Sequence, residues 1–288
     1  MSNKKSFGVI PSQIDKRDYK LSFQAVDSTT IPKEYASPLP PFDKNQGETG
    51  ICTNASISRW FERQFKLAYG KDQEFSMTWL YAHKPDITSS GAQLRDILKL
   101  ANSIGNCKNE IFPYIADVPE IVDDLNKSNQ IEIEKDSSLH KVKGFAQLTN
   151  DIDIKLAILN YSYVYVAIPW FSDCEMESID LSSNAGDYEN IVYAGKEIEG
   201  YHAILIYGWD SYGWRFVNTW GNGWSKDGCA VLDKKYPILE CWSLIGDYKE
   251  PQAIPVVPVI DKKSNNEFIQ VIWKIINTLI NMWYKLFK

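Results

Sequence analysis

The apolar pattern of the chain changes at about residue 140, and this change restricts the possible folds more than any other feature. Before it, apolar side chains between residues 55 and 68 recur at helical spacing, and the predicted helix ends at Gly70. After it, the segments YSYVYVAIPW, YHAILIYGWD and WRFVNTW are rich in β-branched and aromatic residues, with Gly, Asn and Asp between them. The pattern predicts an α+β protein with a helical half followed by a strand-rich half.

Other segments have weaker signals. FSMTWLYAHK and residues 92–105 predict two more helices. The prolines of the first 45 residues forbid long helices, and residues 1–29 are predicted to form an extended arm on the body of the protein. The polar stretch 172–200 contains no clear element, so we expect a surface insertion there.

The C-terminal end of the chain predicts a tethered amphipathic helix. Residues 251–265 contain three prolines and are typical of an extended linker. In residues 266–288, polar side chains recur every three or four positions beside a broad apolar face. The polar stripe makes this helix a poor transmembrane span, so we expect it to lie on a membrane surface, dock on a partner, associate with another copy or pack on its own domain.

Composition and charge exclude several classes. The net charge is −6 and there is no run of lysines or arginines, which argues against nucleic-acid binding. The five cysteines are widely spaced and form no C-x-x-C motif, so neither a disulfide framework nor a zinc site is predicted, and no cofactor is expected. No apolar run follows the basic N-terminus, so the sequence predicts no signal peptide and a cytoplasmic protein, or one released by a non-classical route.

One cysteine and one histidine stand out as a candidate catalytic pair. Most unpaired cysteines are buried and inert, but Cys52 lies at the start of the first predicted helix, where unpaired N–H groups favour a thiolate. His202 opens an apolar strand, and the next predicted strand brings Asn218 within reach of its ring. His83 and His140 are in segments more typical of packing or surface positions. The pattern indicates nucleophilic catalysis.

Several blocks, in the same order along the chain, resemble the papain-like cysteine peptidases. QGETGIC is similar to the family's glutamine-to-cysteine block, YHAILIYGWD to its histidine strand, and VNTWGNGWSKDGCAVL to its Asn-Ser-Trp-Gly block. The segments IDKRDYK, CTNA and FSMTWLYAHK are similar to the bacterial and viral branch. The resemblance covers about residues 8–248.

This resemblance implies a two-lobed catalytic domain at 30–250 with the active site in the cleft between the lobes. The helical lobe would span about 44–135, and an antiparallel, β-barrel-like lobe about 136–250. It also implies the roles of four residues. Cys52 would be the nucleophile, His202 the general base and later acid, Asn218 the group that orients His202, and Gln46 a donor to the oxyanion.

The resemblance further implies three residues that contact the substrate or shield the site. Gly91 would pair with the substrate backbone, Trp220 would cover the His202 to Asn218 hydrogen bond, and Trp224 would line the leaving-group side. The predicted activity is a thiol endopeptidase acting on proteins or peptides. Two alternatives stay open, namely an acyl transferase or isopeptide-directed enzyme with the same residues, and a non-catalytic binding or structural protein.

Overall fold

The described residues form a large β-sheet with helices packed on both of its faces. The computed structural model describes residues 6–23, 30–116, 118–171, 175–179, 188–192, 197–248 and 258–260. The helices are α1 (Cys52–Tyr69), α2 (Trp79–Ala82), α3 (Leu94–Ser103), α4 (Val118–Lys127), α5 (Gln130–Ser137) and α6 (Asp151–Tyr161). The strands are β1 (Leu21–Phe23), β2 (Tyr35–Ala36), β3 (Gly144–Gln147), β4 (Val164–Phe171), β5 (Glu175–Ile179), β6 (Tyr188–Val192), β7 (Ile198–Trp209), β8 (Gly213–Val217), β9 (Cys229–Asp233), β10 (Glu240–Ile245) and β11 (Pro258–Ile260).

Helix α1 is the central helix of the molecule, and it begins at Cys52 as the sequence predicts. It is buried over most of its first three turns, because it packs against β7. It ends at Gly70, whose φ of 71° is the left-handed conformation that favours glycine. The N–H of Gly70 donates to the carbonyl of Lys66 at 2.9 Å, which closes the last turn. The C-terminal end of the helix is therefore set by local sequence.

The large sheet has the strand order β3-β10-β4-β7-β8-β9-β6-β5. The short strand β2 pairs with the last two residues of β7. Its pairings are antiparallel, except that β6 and β9 run parallel among the described strands. The sheet is open rather than closed, which is compatible with the predicted barrel-like lobe. Strands β4 and β7 form its centre, with Ile168 opposite His202 and Trp170 opposite Gly200.

The two faces of this sheet belong to two hydrophobic cores. Side chains of β4 and β7 alternate between them, as strand geometry requires. One face, with Tyr165, Ala167, Ala203 and Leu205, joins the core formed with α1, α2 and α3. The other face, with Val164, Val166, Ile168, Ile204 and Ile206, joins a second core with α6. The sheet thus separates the core formed with α1, α2 and α3 from the core formed with α6.

One expectation about the regions outside this core is corrected. The stretch 172–200 contains β5, β6 and the start of β7, so the prediction that it has no element is wrong. The first 45 residues contain the short extended strands β1 and β2. Within the predicted linker, β11 pairs with β1 of the arm. The rest of the linker and the predicted tail helix lie outside the described residues.

No helix among the described residues combines the length and apolar character that crossing a membrane requires.

Candidate active site

The hairpin of β7 and β8 brings His202 and Asn218 together. Leu205 pairs with Val217, so residues near the start of β7 and just after β8 lie side by side. The Nε2–H of His202 donates to the carbonyl Oδ1 of Asn218 at 2.6 Å, and both residues are fully buried. Because an amide oxygen only accepts hydrogen bonds, this contact places a proton on Nε2. Asn218 therefore fixes the ring orientation, and Nδ1 is left as the atom able to accept a proton.

Cys52 lies beside Ala203, the residue that follows His202. The backbone N–H of Ala203 is near enough to the Cys52 sulfur to favour its thiolate. The hydroxyl of Ser56, one turn along α1, donates to the Ala203 carbonyl at 2.9 Å, which binds helix α1 to β7 next to His202.

The Cys52 thiol is fully buried, and burial raises its pKa to about 11. The backbone N–H groups of Ala203, Gly8 and Thr53 favour the thiolate but do not outweigh the lost hydration. The position at a helix N-terminus, which the sequence analysis takes to favour a thiolate, is therefore overruled by burial in this arrangement. The cysteine is held as a neutral thiol.

Gln46 is held at the same site by a tight loop. Its backbone N–H donates to the carbonyl of Thr219, and the hydroxyl of Thr219 donates to its side-chain Oε1. One hydrogen of the side-chain amide is used by the carbonyl of Thr49, at 2.7 Å from Nε2. The other is directed at the carbonyl of Ser6, at 3.1 Å. Gln46 therefore presents one N–H donor outward, and a carbonyl of the N-terminal arm occupies it.

Tryptophans cover the histidine. The indole of Trp220 lies over the imidazole of His202, with ring centroids 4.6 Å apart and planes inclined by 31°. Trp170, on β4, packs against Trp220 at 4.7 Å and against His202 at 5.8 Å. Trp224 packs behind Trp220 at 5.6 Å. Trp170 and Trp220 thus pack around a fully buried imidazole.

The N-terminal arm crosses the site directly over Cys52. The N–H of Gly8 points at the Cys52 sulfur, and the arm continues as a parallel bridge between Val9 and Ala92. On one side of the bridge the N–H of Ala92 donates to the carbonyl of Gly8 at 2.8 Å, and the N–H of Ile10 donates to the carbonyl of Ala92 at 3.0 Å. On the other side the N–H of Val9 donates to the carbonyl of Tyr201 at 3.1 Å.

The crossing is possible because glycines meet there. A Cβ on Gly8 would lie 1.8 Å from the carbonyl oxygen of Gly50, and a Cβ on Gly91 would lie 2.7 Å from the carbonyl oxygen of Gly8. Contacts that short do not occur between real atoms, so only glycine fits at these positions. The backbone pairs with the arm at Ala92, while Gly91 forms the floor beside it.

Lys84 holds the loop that carries Gly91 and Ala92. Its buried ammonium donates to the carbonyls of Ser89 and Gly91 and to the hydroxyl of Tyr81, and it lies 4.2 Å from the centre of the Tyr81 ring. The N–H of Gly91 donates to the same Tyr81 hydroxyl at 2.8 Å. Burial lowers the pKa of Lys84 to about 8.

The remaining cysteines and histidines are placed elsewhere. Cys107, Cys229 and Cys241 are buried, and burial raises the pKa of each thiol; Cys174 lies outside the described residues. His83 contacts the carbonyl of Trp79 through Nδ1, and His140 packs against Phe75. The described ranges contain no cluster of His, Cys, Asp or Glu suited to a metal ion.

Sequence reasoning missed Trp170, Ala92, Lys84 and the path of residues 6–10. Trp170 lies opposite Gly200 of β7, a register that the sequence alone does not determine. The path of residues 6–10 depends on backbone hydrogen bonds to residues about 80 and 190 positions away, and such bonds have no side-chain signature.

The element order, the sheet and the position of the site at the edge between helices and strands define the papain-like fold. Xylellain, a cysteine protease from Xylella fastidiosa, has a similar structure, with a TM-score of 0.67 and 22% identity over 84% of this chain and 97% of xylellain. Procathepsin B S9 of Trypanosoma congolense gives a TM-score of 0.60 at 13% identity, over 84% of this chain and 87% of that one.

A third similar structure is the recombinant stem bromelain precursor, with a TM-score of 0.59, 15% identity, and 86% and 80% of the two chains covered. No family model matches the sequence. No curated protein matches it either. At these identities the structural similarity establishes the fold, and the chemistry of this chain is inferred from its own residues.

Proposed function

We propose that this protein is a cysteine endopeptidase that uses Cys52, His202 and Asn218, with Gln46 and the backbone N–H of Cys52 as oxyanion donors. The observation that supports the proposal most is the buried 2.6 Å bond from His202 to Asn218, which leaves Nδ1 as the proton acceptor. Cys52 lies beside Ala203, the next residue of the same strand.

In the proposed reaction, His202 Nδ1 takes the proton of the Cys52 thiol as the sulfur attacks a peptide carbonyl. A C–S bond forms and the carbonyl oxygen becomes an oxyanion, which Gln46 and the helix N-terminus stabilise. His202 then gives its proton to the nitrogen of the leaving amine as the C–N bond breaks. Water, activated by His202, hydrolyses the thioester and restores the thiol.

We further propose that the arm keeps the enzyme closed. In the structure, a carbonyl of the arm accepts the outward N–H of Gln46. The arm also covers Cys52 and pairs with the backbone of Ala92. A substrate needs each of these positions, so substrate and arm exclude each other. When the arm leaves, water reaches the sulfur and the desolvation that raises its pKa is relieved.

The direction of the arm explains how it can occupy the site without being cut. The acyl side of a substrate would pair along Gly91 and Ala92, and its leaving side would lie near His202, which protonates the leaving nitrogen. The arm runs the other way, with Phe7 near His202 and the later residue Ile10 near Ala92. In this reversed direction the arm does not present a peptide bond as a substrate would.

The two alternatives predict different products. An acyl transferase would form a new amide in preference to hydrolysis when a primary amine is present, and a non-catalytic binding protein would give no covalent intermediate. The geometry favours catalysis, because a binding cleft has no need for an imidazole whose tautomer is fixed beside a cysteine.

The partners and location remain proposals. We propose a protein or peptide substrate, no nucleic-acid partner, and attachment of the tail, residues 266–288, to a membrane surface, a partner or a second copy. The location proposed from the sequence is the cytoplasm or release by a non-classical route.

A thiol-directed epoxide tests the proposed site. We expect the reagent to modify Cys52 in the parent once the arm is displaced, and to modify it much more slowly in His202→Ala, because the imidazole no longer takes the thiol proton. Cys52→Ala should not be labelled. Modification of Cys107, Cys229 or Cys241 with Cys52 untouched would contradict the assignment.

A further inference from the structure

The ring of Phe7 occupies a specific place beside the catalytic histidine. Its centroid lies 6.1 Å from those of His202 and Trp220, and 6.3 Å from that of Trp170. The ring planes are inclined by 85° to His202 and 71° to Trp220, which is the edge-to-face arrangement that aromatic rings prefer.

Gly200 provides the space for this ring. Gly200 lies opposite Trp170 in the sheet and two residues before His202, so all three positions point to the same face. A Cβ on Gly200 would lie 2.6 Å from two carbons of the Phe7 ring. Any larger residue at position 200 would take the place of the ring. We call this place, formed by Trp170, Gly200, His202 and Trp220, the ring subsite.

The ring subsite lies on the leaving-group side of the cleft. The proton donor must reach the leaving nitrogen, so the first side chain of the leaving fragment lies beside the imidazole. Phe7 is there, one residue from the N–H that points at the Cys52 sulfur, while the acyl side is defined by Ala92 at the other end of the crossing.

We infer that the enzyme prefers substrates with an aromatic side chain at the first position after the scissile bond, and that Gly200 determines this preference. The inference rests on the proposed peptidase function. Flat rings fill the space over Gly200 and meet Trp170 and Trp220 at favourable angles, whereas a methyl side chain leaves that space empty.

The test compares peptides that differ only at the first position after the scissile bond, carrying Phe, Tyr, Leu or Ala. We expect kcat/KM to be at least tenfold higher for Phe and Tyr than for Ala in the full-length Gly8→Ala protein, in which the added Cβ displaces the arm from Gly50. When Gly200→Ala is added to this protein, the ratio of Phe to Ala should fall by about tenfold, because the added methyl takes the place of the ring. Gly144→Ala is the matched control, since a Cβ there makes only ordinary contacts with Ile245.

A second measurement needs no variant at the subsite. When an amino acid amide is added, its nitrogen attacks the thioester of the acyl-enzyme, the C–S bond breaks, and the proton of the amine passes through His202 to the sulfur. Phenylalanine amide should capture the acyl group more efficiently than alanine amide, because its ring binds where Phe7 binds.

The outcomes separate the two proposals. Cleavage of all four peptides with no aromatic preference, together with equal capture of both amides, overturns the ring subsite and leaves the peptidase standing. A Phe to Ala ratio that is unchanged in Gly200→Ala overturns the role of Gly200. Absence of any cleavage and of any Cys52 modification overturns the peptidase, and the ring subsite with it.

Discussion

At the scale of single residues, Gln46 links the arm to the chemistry. One of its amide hydrogens is bound to Thr49 and serves the loop, while the other is bound to Ser6 of the arm. The second hydrogen becomes available to an oxyanion only when the arm leaves. In the proposed mechanism, Gln46 donates to the arm while the cleft is closed and to the oxyanion once the arm has left.

Replacing Gln46 tests this role. In Gln46→Ala we expect kcat to fall by roughly 10²- to 10³-fold, the loss typical of one oxyanion donor, with a much smaller change in KM. Steady-state kinetics on a peptide measures both constants. Gln64→Ala is a suitable control, because Gln64 lies on α1 and bonds to Tyr248. A loss confined to KM would contradict the assigned role.

Because its pKa is lowered by burial, Lys84 should make the free energy of unfolding rise with pH above about 8. The pKa of its ammonium is about 8 in the folded protein and 10.5 ordinarily, so between these values the unfolded chain binds more protons. The free energy of unfolding should therefore rise with pH from about 8 to 10.5, by on the order of 2 kcal/mol.

Urea unfolding of the parent and of Lys84→Met at several pH values measures this contribution. Tyrosines and cysteines with raised pKa titrate in the same range. The difference in the free energy of unfolding between the two proteins therefore isolates the contribution of Lys84. The difference should vary with pH between about 8 and 10.5. Parallel curves would contradict a buried ammonium at this position.

Local signals account for the residues that could be predicted from the sequence. Short sequence motifs, which also include recognisable glycines and tryptophans, identify four of the site residues. These are Gln46, Cys52, His202 and Asn218. Trp170 and Ala92 were missed because their positions depend on cross-strand register and on a loop, both of which long-range contacts determine.

At the scale of elements, the arm is fixed by bonds on both sides of the cleft. After the crossing, the N–H of Ser12 donates to the carboxylate of Glu240 at 2.7 Å, and Arg95 binds the carboxylate of Asp18 and the carbonyl of Gln13. Farther along, β1 pairs with β11. The crossing is therefore the part that can open while the rest of the arm stays attached.

Gly8→Ala should open the crossing. The new Cβ would overlap the backbone of Gly50, so the closed state loses stability, and each 1.4 kcal/mol lost changes its population tenfold. We expect alkylation of Cys52 by iodoacetamide, and peptide hydrolysis, to become about tenfold faster or more. Gly144→Ala should leave both rates unchanged. Equal or slower rates in Gly8→Ala would contradict a blocking arm.

The strength of the local sequence pattern explains which helices and strands were predictable. Helix α1 and strands β4, β7 and β8 have strong local patterns and were expected from them. Strands β5 and β6 were missed because they pair with each other and with β9 across a polar stretch, where the pattern of side chains gives no alternation to recognise.

At the scale of the whole molecule, the N-terminal arm and the C-terminal linker meet. The pairing of β1 with β11 places the segment that leads to the tail beside the segment that leads into the cleft. Among the described residues, the candidate site lies on α1, β4, β7, β8 and the loops around them.

Removing residues 262–288 should leave peptide hydrolysis and the melting temperature of the body unchanged, because β11 is retained. Binding to liposomes, or self-association measured by sedimentation, should decrease. Unfolding of the truncated chain would instead mean that the tail is part of the core.

The most direct test of the proposed chemistry is to observe the acyl-enzyme. With the full-length Gly8→Ala protein and an activated ester, intact mass spectrometry should show a transient increase equal to one acyl group, located on Cys52. The increase should be absent in a Gly8→Ala protein that also carries Cys52→Ala, and should form far more slowly when it carries His202→Ala. Hydrolysis that persists without Cys52, or an acyl group on another residue, would contradict the account.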